Sequence, residues 1–287
     1  MPFTMRAKPA SHCRMSIEEG FFSAVDGVRL FYRFRPGPLK KNSLILLHGH
    51  GEHSGRYVKF FYHLEDLKIP IGAFDLRGSG QSGGEKASVR QFEDYLGDVT
   101  SFIHFLIARF EIETPIRVFG HSLGGLIALS WARENAKLVS KLILSSPLLG
   151  LPREKVVGTL AIQLNRFIPN FIVKNPVHPP FLTHDPEEVE KYRKDTLIQR
   201  KITIRLVTEM LRYASSFRAA QMTFSFPVYI LMSEKDFIVD PRMTQDFFGR
   251  LVAPDKKLKI FLGFYHEIFN EVDQKSVFEE LRTLLKD

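Results

Sequence analysis

Short apolar runs alternate with longer amphipathic stretches along most of the 287-residue chain. Short apolar runs predict buried strands, and apolar residues that recur every three or four positions predict helices. The predicted strands lie at 21–24, 28–34, 44–47, 69–74, 116–119, 142–145, 228–232 and 258–262. The predicted helices lie at 57–67, 92–110, 123–135, 241–251 and 274–285. Strand and helix therefore follow one another through most of the sequence.

This alternation predicts the fold class. Strands joined by helices are typical of an α/β protein whose sheet is mostly parallel, with helices on both of its faces. The first two strands are different, because they flank Asp26-Gly27, which is a strong hairpin signal. We therefore expect a mostly parallel eight-stranded sheet with an antiparallel hairpin at its edge.

One region, residues 148–221, breaks the alternation. It is helical or looped in character, contains several prolines and lies between two predicted core strands, so we expect a helical cap inserted into the core. The core would comprise 20–147 and 222–287, with 1–19 as a disordered N-terminal segment. An apolar helical face within the cap is formed by Val157, Leu160, Ala161, Leu164 and Ile168. We favour packing of this face on the core, where it would line a pocket, over contact with a membrane or micelle surface.

The segment GHSLG at 120–124 fits the pattern Gly-x-Ser-x-Gly and joins a predicted strand to a predicted helix. A strand, a sharp turn and a helix form the setting in which a strained backbone presents a serine hydroxyl at the end of a sheet. The flanking glycines are needed because a Cβ would clash where helix and strand close on the turn. Ser122 is therefore the candidate nucleophile. An ordinary turn with a surface serine is the alternative.

A serine nucleophile needs a base and a group that orients the base. In this setting the expected chain order is Ser, then Asp or Glu, then His. Asp236 follows the predicted strand at 228–232, and His266 follows the strand at 258–262. Both would lie at the carboxyl edge of the sheet, where catalytic groups of open α/β sheets gather. Glu234 and Asp240 remain alternatives to Asp236, although an aspartate before a proline is typical of a helix cap.

The oxyanion of an acyl-transfer intermediate needs hydrogen-bond donors. One should be the backbone N–H of Leu123, directly after the candidate nucleophile. The other should come from the loop at 48–51 (HGHG), which follows an early strand, with the N–H of His50 as the donor. A metal site at His48 and His50 is a rival interpretation, but no cysteine or carboxylate constellation supports it.

Three segments resemble a known family. The segment HGHGEHSGRY at 48–57 resembles the HGxGEHSGRY motif of monoacylglycerol lipases and related lysophospholipases, which belong to the α/β-hydrolase superfamily. FDLRGSGQS at 74–82 resembles their xDxRGHGxS loop, with Ser79 in place of the usual histidine. LTHDPEEVEKY at 182–192 resembles part of their cap. The resemblance extends from roughly residue 20 to the C-terminus and implies the α/β-hydrolase fold.

The resemblance also implies roles for individual residues. The implied catalytic triad is Ser122, Asp236 and His266. The implied oxyanion donors are His50 and Leu123. Glu52 and Arg56 would lie near the polar head of the substrate, whereas a salt bridge between them or to the cap is the alternative. Some members carry a second histidine where this chain has Phe269. An esterase or a lysophospholipase therefore stays open beside a monoacylglycerol lipase.

Bulk properties agree with a single enzyme domain in the cytoplasm. The hydrophobic content of 44% suffices for a buried sheet. A single cysteine, Cys13, cannot form an internal disulfide, which favours a reducing compartment. The first twenty residues lack the apolar core of a signal peptide, and no apolar run reaches the roughly 18 residues of a membrane span.

The formal net charge is +8, and much of it falls in the cap. The basic residues there are Lys191, Arg193, Lys194, Arg200, Lys201, Arg205, Arg212 and Arg218. This charge could attract an anionic membrane surface, giving peripheral contact, or form a solvated face. A nucleic-acid partner is not expected, because no recognised binding module accompanies the charge.

Together these patterns predict a serine carboxylic-ester hydrolase. It would cleave monoacylglycerol or a similar single-chain lipid ester to fatty acid and alcohol through an acyl-enzyme, with no metal and no cofactor. The alternatives on the same scaffold are a lysophospholipase, a small-ester carboxylesterase or a peptidase. A non-catalytic binding protein is disfavoured by the complete set of triad residues.

Overall fold

The computed structural model describes residues 16–152, 154–175, 177–218 and 221–286. Within these ranges the strands are β1 (Glu18–Ser23), β2 (Arg29–Arg35), β3 (Leu44–Leu47), β4 (Ile71–Phe74), β5 (Ile116–His121), β6 (Val139–Ser145), β7 (Ile172–Lys174), β8 (Lys201–Thr203), β9 (Met222–Thr223), β10 (Val228–Ser233), β11 (Leu251–Val252) and β12 (Lys256–Phe261). The α-helices are α1 (Val58–His63), α2 (Glu93–Phe110), α3 (Leu123–Glu134), α4 (Glu154–Asn165), α5 (Pro186–Lys194), α6 (Ile204–Ser216), α7 (Pro241–Arg250) and α8 (Gln274–Leu285).

Eight of the strands form one sheet in the order β1-β2-β4-β3-β5-β6-β10-β12. The hairpin strands β1 and β2 are antiparallel, β2 is also antiparallel to β4, and the remaining neighbours are parallel. This confirms the predicted fold class of a mostly parallel sheet with an antiparallel edge. The central strands β3, β4 and β5 are buried along their whole length, because helices cover both faces of the sheet.

Each face of the sheet has its own hydrophobic core. Phe102 of α2 and Trp131 of α3 are fully buried in the larger core, on one face. Phe60 of α1 and Phe278 of α8 are buried in the smaller core, on the other face. The helix predicted at 57–67 is shorter than expected, because 3-10 turns at Ser54–Tyr57 and Glu65–Leu67 flank α1.

The segment between β6 and β10 is the one that we predict to be a cap. It contains α4, α5, α6 and the strand pair β7–β8. The last of these helices also belongs to the core, since Met210, Tyr213 and Ala214 of α6 are buried in the larger core. A parallel pair such as β6 and β10 needs a crossover connection, and α6 supplies it.

Two further predictions concern the N-terminal segment and a membrane span. Residues 1–15 of the segment predicted as disordered, 1–19, lie outside the described residues, and β1 already begins at Glu18. The second concerns a membrane span. None of the helices in the described ranges combines the length and the apolar character that crossing a bilayer requires.

Candidate active site

Ser122 lies at the turn between β5 and α3. Its backbone has φ +51° and ψ −116°, a strained conformation that costs a non-glycine residue about 1–3 kcal/mol. A hydrogen bond of 3.0 Å from the Ser122 N–H to the Ser145 carbonyl holds the turn against β6. A Cβ at Gly120 would overlap the carbonyl oxygen of Gly124, and one at Gly124 would overlap that of Leu47. Both positions therefore require glycine, as the pattern indicates.

Asp236 and His266 meet just past the carboxyl ends of β10 and β12. Nδ1 of His266 is 2.7 Å from Oδ2 of Asp236, and both side chains are almost fully buried. Oδ1 of Asp236 accepts hydrogen bonds from the backbone N–H groups of Ile238 (2.8 Å) and Val239 (2.9 Å). These bonds fix the carboxylate, and with Nδ1 engaged, Nε2 is the ring nitrogen that can serve a nucleophile.

The two alternative carboxylates have other partners. Asp240 caps α7 by accepting from the backbone N–H of Arg242 (3.0 Å), and it also binds the Arg242 guanidinium. Glu234 is exposed and accepts from the backbone N–H of Gly263 (2.9 Å). Of the three carboxylates, Asp236 is therefore the one that the structure brings to His266.

The electrostatic surroundings give two neighbouring imidazoles, those of His266 and His121, different pKa values. Burial lowers the pKa of His266, but the charge and hydrogen bond of Asp236 outweigh burial, so the pKa lies above its ordinary value. The ring of His121 lies 4.7 Å away, between centroids. Burial and the nearby His266 lower the pKa of His121 to about 4. At neutral pH His121 is therefore uncharged, and His266 is the ring suited to accept a proton.

Ser122 and His266 line one cavity of about 560 Å³ beneath the cap. This volume lies within the range of small-molecule sites. The cavity wall is predominantly apolar, and its cap side includes Leu151, Leu160, Ala161, Leu164, Val207 and Met210. The apolar face predicted in the cap therefore contributes three residues to the wall. Ile168 of that face is exposed, and the side chain of Val157 lies outside the described residues.

The loop after β3 borders the same cavity through Gly49 and His50. The backbone N–H of Gly49 donates to Oε1 of Glu52 (2.7 Å). Nε2 of His48 accepts from the backbone N–H of Leu76 (2.8 Å), and its Nδ1 lies 2.8 Å from the Gly49 carbonyl. Both ring nitrogens of His48 are thus engaged by backbone groups, which does not suit a metal ligand. Among the described residues, no group of three or more His, Cys, Asp or Glu could hold a metal ion.

Glu52 and Arg56 form the salt bridge that the sequence left as the alternative. Nη1 of Arg56 is 3.0 Å from Oε2 of Glu52, and the other carboxylate oxygen accepts from Gly49 N–H and from the Tyr57 hydroxyl (2.9 Å). Glu52 also lines the cavity of Ser122 and His266, whereas Arg56 lines a small neighbouring pocket with Glu52. A role of the pair at the polar head of a substrate stays a prediction.

Sequence reasoning missed Glu267, which also binds Arg56. Its carboxylate oxygens lie 2.6 Å and 2.7 Å from Nη1 and Nη2 of Arg56. It lines the cavity and follows His266 directly. Its position next to the candidate base was a possible signal, but its partner lies 211 residues away in the sequence and nothing local identifies that partner.

Residues 177–200 contact the loops that carry the candidate catalytic residues, and we call these residues the anchor segment. The backbone N–H of Glu267 donates to the Leu182 carbonyl (2.8 Å). Glu271 accepts from Nδ1 of His184 (2.9 Å) and also from the backbone N–H of Tyr265 (2.7 Å). The anchor segment thus reaches the loop that carries His266.

The motif at 48–57 provides a second attachment for the anchor segment. Nε2 of His53 lies 2.8 Å from Oδ2 of Asp195, and the guanidinium of Arg56 lies 5.0 Å from the ring centroid of Tyr192. The backbone N–H of Gln199 donates to the Gly51 carbonyl (2.8 Å). The loop predicted to carry an oxyanion donor is therefore held from the cap side as well.

Known proteins resemble this chain over most of its length. The sequence model of the family described as "Serine aminopeptidase, S33" matches residues 39–273. Human monoglyceride lipase is 30% identical over 263 residues, which cover 89% of this chain and 86% of that protein. An uncharacterized protein of Escherichia coli (strain K12), YnbC, is 28% identical over 93% of this chain, which spans only 46% of the length of YnbC.

A solved structure gives the same result for the fold. The crystal structure of Paleococcus ferrophilus monoacylglycerol lipase superposes with a TM-score of 0.78 at 26% identity. The match covers 94% of this chain and 99% of that chain. The fold described above is therefore shared with that monoacylglycerol lipase over nearly its whole length.

Proposed function

The chain belongs to the serine aminopeptidase S33 family of α/β-hydrolases, and we propose that this serine hydrolase cleaves a single-chain lipid ester, with monoacylglycerol as the leading substrate. One observation carries the proposal: Ser122 and His266 line a single cavity whose remaining wall is mostly apolar. A wall of this kind suits a hydrocarbon chain, and the two catalytic side chains suit the ester at its end.

The proposed reaction has two stages. Oγ of Ser122 attacks the carbonyl carbon while Nε2 of His266 takes its proton, and the alcohol then leaves with that proton as the ester C–O bond breaks. Water attacks the acyl carbon of the acyl-enzyme and gives a proton to His266, and the fatty acid departs as the serine oxygen regains that proton. Asp236 orients the imidazole and stabilises the imidazolium in both stages.

The oxyanion of each tetrahedral intermediate needs donors in fixed positions. We assign these to the backbone N–H groups of His50 and Leu123. Leu123 is the first residue of α3, and the first N–H groups of a helix have no acceptor within it. The loop that contains His50 is fixed by Glu52 through Gly49.

The cavity supports a substrate with one acyl chain. Enclosing a chain removes apolar surface from water at about 25 cal/mol per Å², so catalytic efficiency should rise with acyl length until the cavity is full. Triacylglycerols would need room for two further chains under the same cap. We therefore expect single-chain esters to be preferred over triacylglycerols.

Peripheral contact with a lipid surface is also part of the proposal. We call residues 154–175 the roof segment; its exposed apolar side chains are Leu160, Ile162, Phe167, Ile168, Phe171 and Ile172. Basic residues lie beside them. Lys174 of β7 is directly opposite Lys201 of β8, and both residues are exposed. Apolar and basic groups together favour anionic lipid surfaces.

The test is release of fatty acid from monoacylglycerol, lysophospholipid, triacylglycerol and nitrophenyl esters, measured side by side. We expect monoacylglycerol to be the best substrate, with nitrophenyl esters improving as the acyl chain lengthens. Ser122→Ala should abolish all of these activities and labelling by a fluorophosphonate probe, because triad members act as one unit. Labelling of the alanine variant would overturn the nucleophile, and a maximum at acetate or butyrate would indicate a small-ester hydrolase.

A further inference from the structure

Three charged side chains lie in a row behind the catalytic histidine. Arg56 stands between Glu52 and Glu267, with its Nη1 3.0 Å from one carboxylate and 2.6 Å from the other. The side chains of Arg56, Glu52 and Glu267 are 10%, 6% and 6% exposed. Charges at this depth are stable only when they are paired and hydrogen-bonded. Removing the central guanidinium would leave two carboxylates facing each other.

Each carboxylate of the row is tied to a different part of the site. Glu52 accepts from the backbone N–H of Gly49, in the loop that carries the proposed oxyanion donor. Glu267 is the residue after His266, and Asn270 Nδ2 donates to its Oε2 (2.7 Å). A guanidinium is planar and offers several donors in fixed directions, so it can hold two carboxylates in a defined arrangement.

We propose that Arg56 is a positioning residue that couples the oxyanion loop to the loop of the catalytic base, through Glu52 and Glu267. The inference rests on the proposed function, because it assigns a role relative to Ser122 and His266 in ester hydrolysis. It differs from recognition of a substrate head group. A positioning role affects every ester alike, whereas recognition of glycerol affects monoacylglycerol alone.

The charges of the row also affect the pKa of the base, His266. One guanidinium between two carboxylates leaves one net negative charge. The charged and titratable groups facing His266 are Asp236, Glu267, Glu52 and His121. Burial lowers the pKa of His266 and Asp236 raises it most, and Glu267 and Glu52 raise it further. Because the base acts in its neutral form, removing a negative charge should extend activity to lower pH.

Two variants separate geometry from charge. Glu267→Gln keeps the shape of the side chain and removes its charge. The acid limb of the pH profile of kcat/KM should move to lower pH by at least about half a unit. The plateau kcat should also fall, because a neutral amide holds the guanidinium less firmly than a carboxylate, but by less than in a variant that lacks the guanidinium. Arg56→Met combined with Glu267→Gln breaks the row but keeps one net negative charge. Here kcat should fall about ten- to a hundredfold, as expected when loops lose their alignment, with the acid limb near its original pH.

The measurements use nitrophenyl butyrate and monoacylglycerol in parallel. Glu190→Gln is the matched control, because it removes one negative charge that forms exposed ion pairs with Arg193 and Lys194 on α5. It should leave both kcat and the acid limb unchanged. Glu52→Gln should reduce hydrolysis of both esters by the same factor. A loss confined to monoacylglycerol would favour head-group recognition and overturn the positioning role.

The outcomes distinguish this inference from the proposed function. Wild-type protein that reacts with fluorophosphonate and hydrolyses monoacylglycerol establishes the function, whatever the variants do. Wild-type kcat in a folded double variant would overturn the inference alone. If the double variant does not fold, Arg56→Lys replaces it. An ammonium cannot bind both carboxylates in the same geometry as a guanidinium, so kcat should fall about tenfold. The acid limb should stay at its original pH, because the net charge is unchanged. An unchanged kcat in that variant would equally overturn the inference.

Discussion

The two parts of the cap differ in what they contact. The anchor segment binds the core at several points: Leu182 and His184 reach the loop after β12, and Asp195 reaches His53 beside the oxyanion loop. The roof segment is connected mainly within the cap. Glu154 pairs with Arg218 at the end of α6, and β7 pairs with β8.

Exposure follows the same division. In the anchor segment, Leu182, Val189 and Tyr192 are buried. In the roof segment, Phe167 is 83% exposed and Phe171 is 55% exposed. The buried side of the anchor segment is therefore held against the loops of the candidate site, whereas the roof segment covers the proposed acyl cavity and is exposed on its outer side. Variants that disturb the anchor segment should therefore lower kcat on every ester, whereas variants of the roof segment should change only the preference among substrates.

The largest effect should come from the partner of His266, in whose loop the anchor segment is held. Asp236→Asn should lower kcat about ten-thousandfold with the fold intact, because an amide favours the wrong tautomer of His266. Asp240→Asn is the matched control, since Asp240 caps α7 and its loss should affect thermal stability only. Hydrolysis of nitrophenyl butyrate and thermal melting measure both. A crippled Asp240→Asn beside an active Asp236→Asn would reverse the assignment.

The next effect tests the anchor itself. Glu271 is buried and accepts three hydrogen bonds, from His184 N–H, His184 Nδ1 and Tyr265 N–H. Glu271→Ala leaves these donors without their acceptor, which costs each about 1–3 kcal/mol when it stays buried. We expect a clear drop in melting temperature and a kcat about tenfold lower on all esters. Glu187→Ala, on the exposed side of α5, should change neither, and equal behaviour of the two variants would remove the distinction between the segments.

A smaller effect should come from the wall of the cavity. Ala161 is buried on α4 and lines the cavity. Ala161→Phe should reduce the preference for long acyl chains about tenfold and shift the optimum toward shorter chains, because the ring occupies space that the chain would fill. The measurement is kcat/KM over a series of nitrophenyl esters. An unchanged chain-length profile would place the acyl chain elsewhere.

The smallest effect belongs to the exposed part of the roof segment. Phe167→Ser with Phe171→Ser should lower hydrolysis of monoacylglycerol in anionic vesicles about threefold, while nitrophenyl butyrate is hydrolysed normally. Val25→Ser is the control, because Val25 is 89% exposed in the hairpin turn between β1 and β2. Unreduced activity on vesicles would contradict a lipid contact through the roof segment.

The fold was largely predictable because its signals are local. Apolar runs placed all eight strands of the main sheet, and the Asp26-Gly27 turn predicted the antiparallel edge. The cap was less predictable. Its boundary at residue 221 includes α6, because no local pattern distinguishes a cap helix from a helix that also crosses over between β6 and β10.

The candidate site was predictable where chain order and strand ends define it. Ser122, Asp236 and His266 were selected on that basis, and the structure brings Asp236 to His266. The partners of Arg56 and Glu271 were not predictable, because ion pairs across long sequence distances depend on how loops meet in space. Even the salt bridge of Glu52 was only one of two possibilities until the loop after β3 was in view.

The position of the cap has a consequence for how this scaffold can change. The cap departs after Ser145 of β6 and returns at Val228 of β10, two strands already paired in the sheet. The entropic cost of closing such a connection grows only with the logarithm of its length, and doubling the length costs about 0.6 kcal/mol. Chain connectivity therefore scarcely limits how long the insertion can be. The roof segment can be lengthened, shortened or exchanged between homologous enzymes with little penalty to the sheet, so substrate choice can diverge while the folding unit beneath it is inherited unchanged.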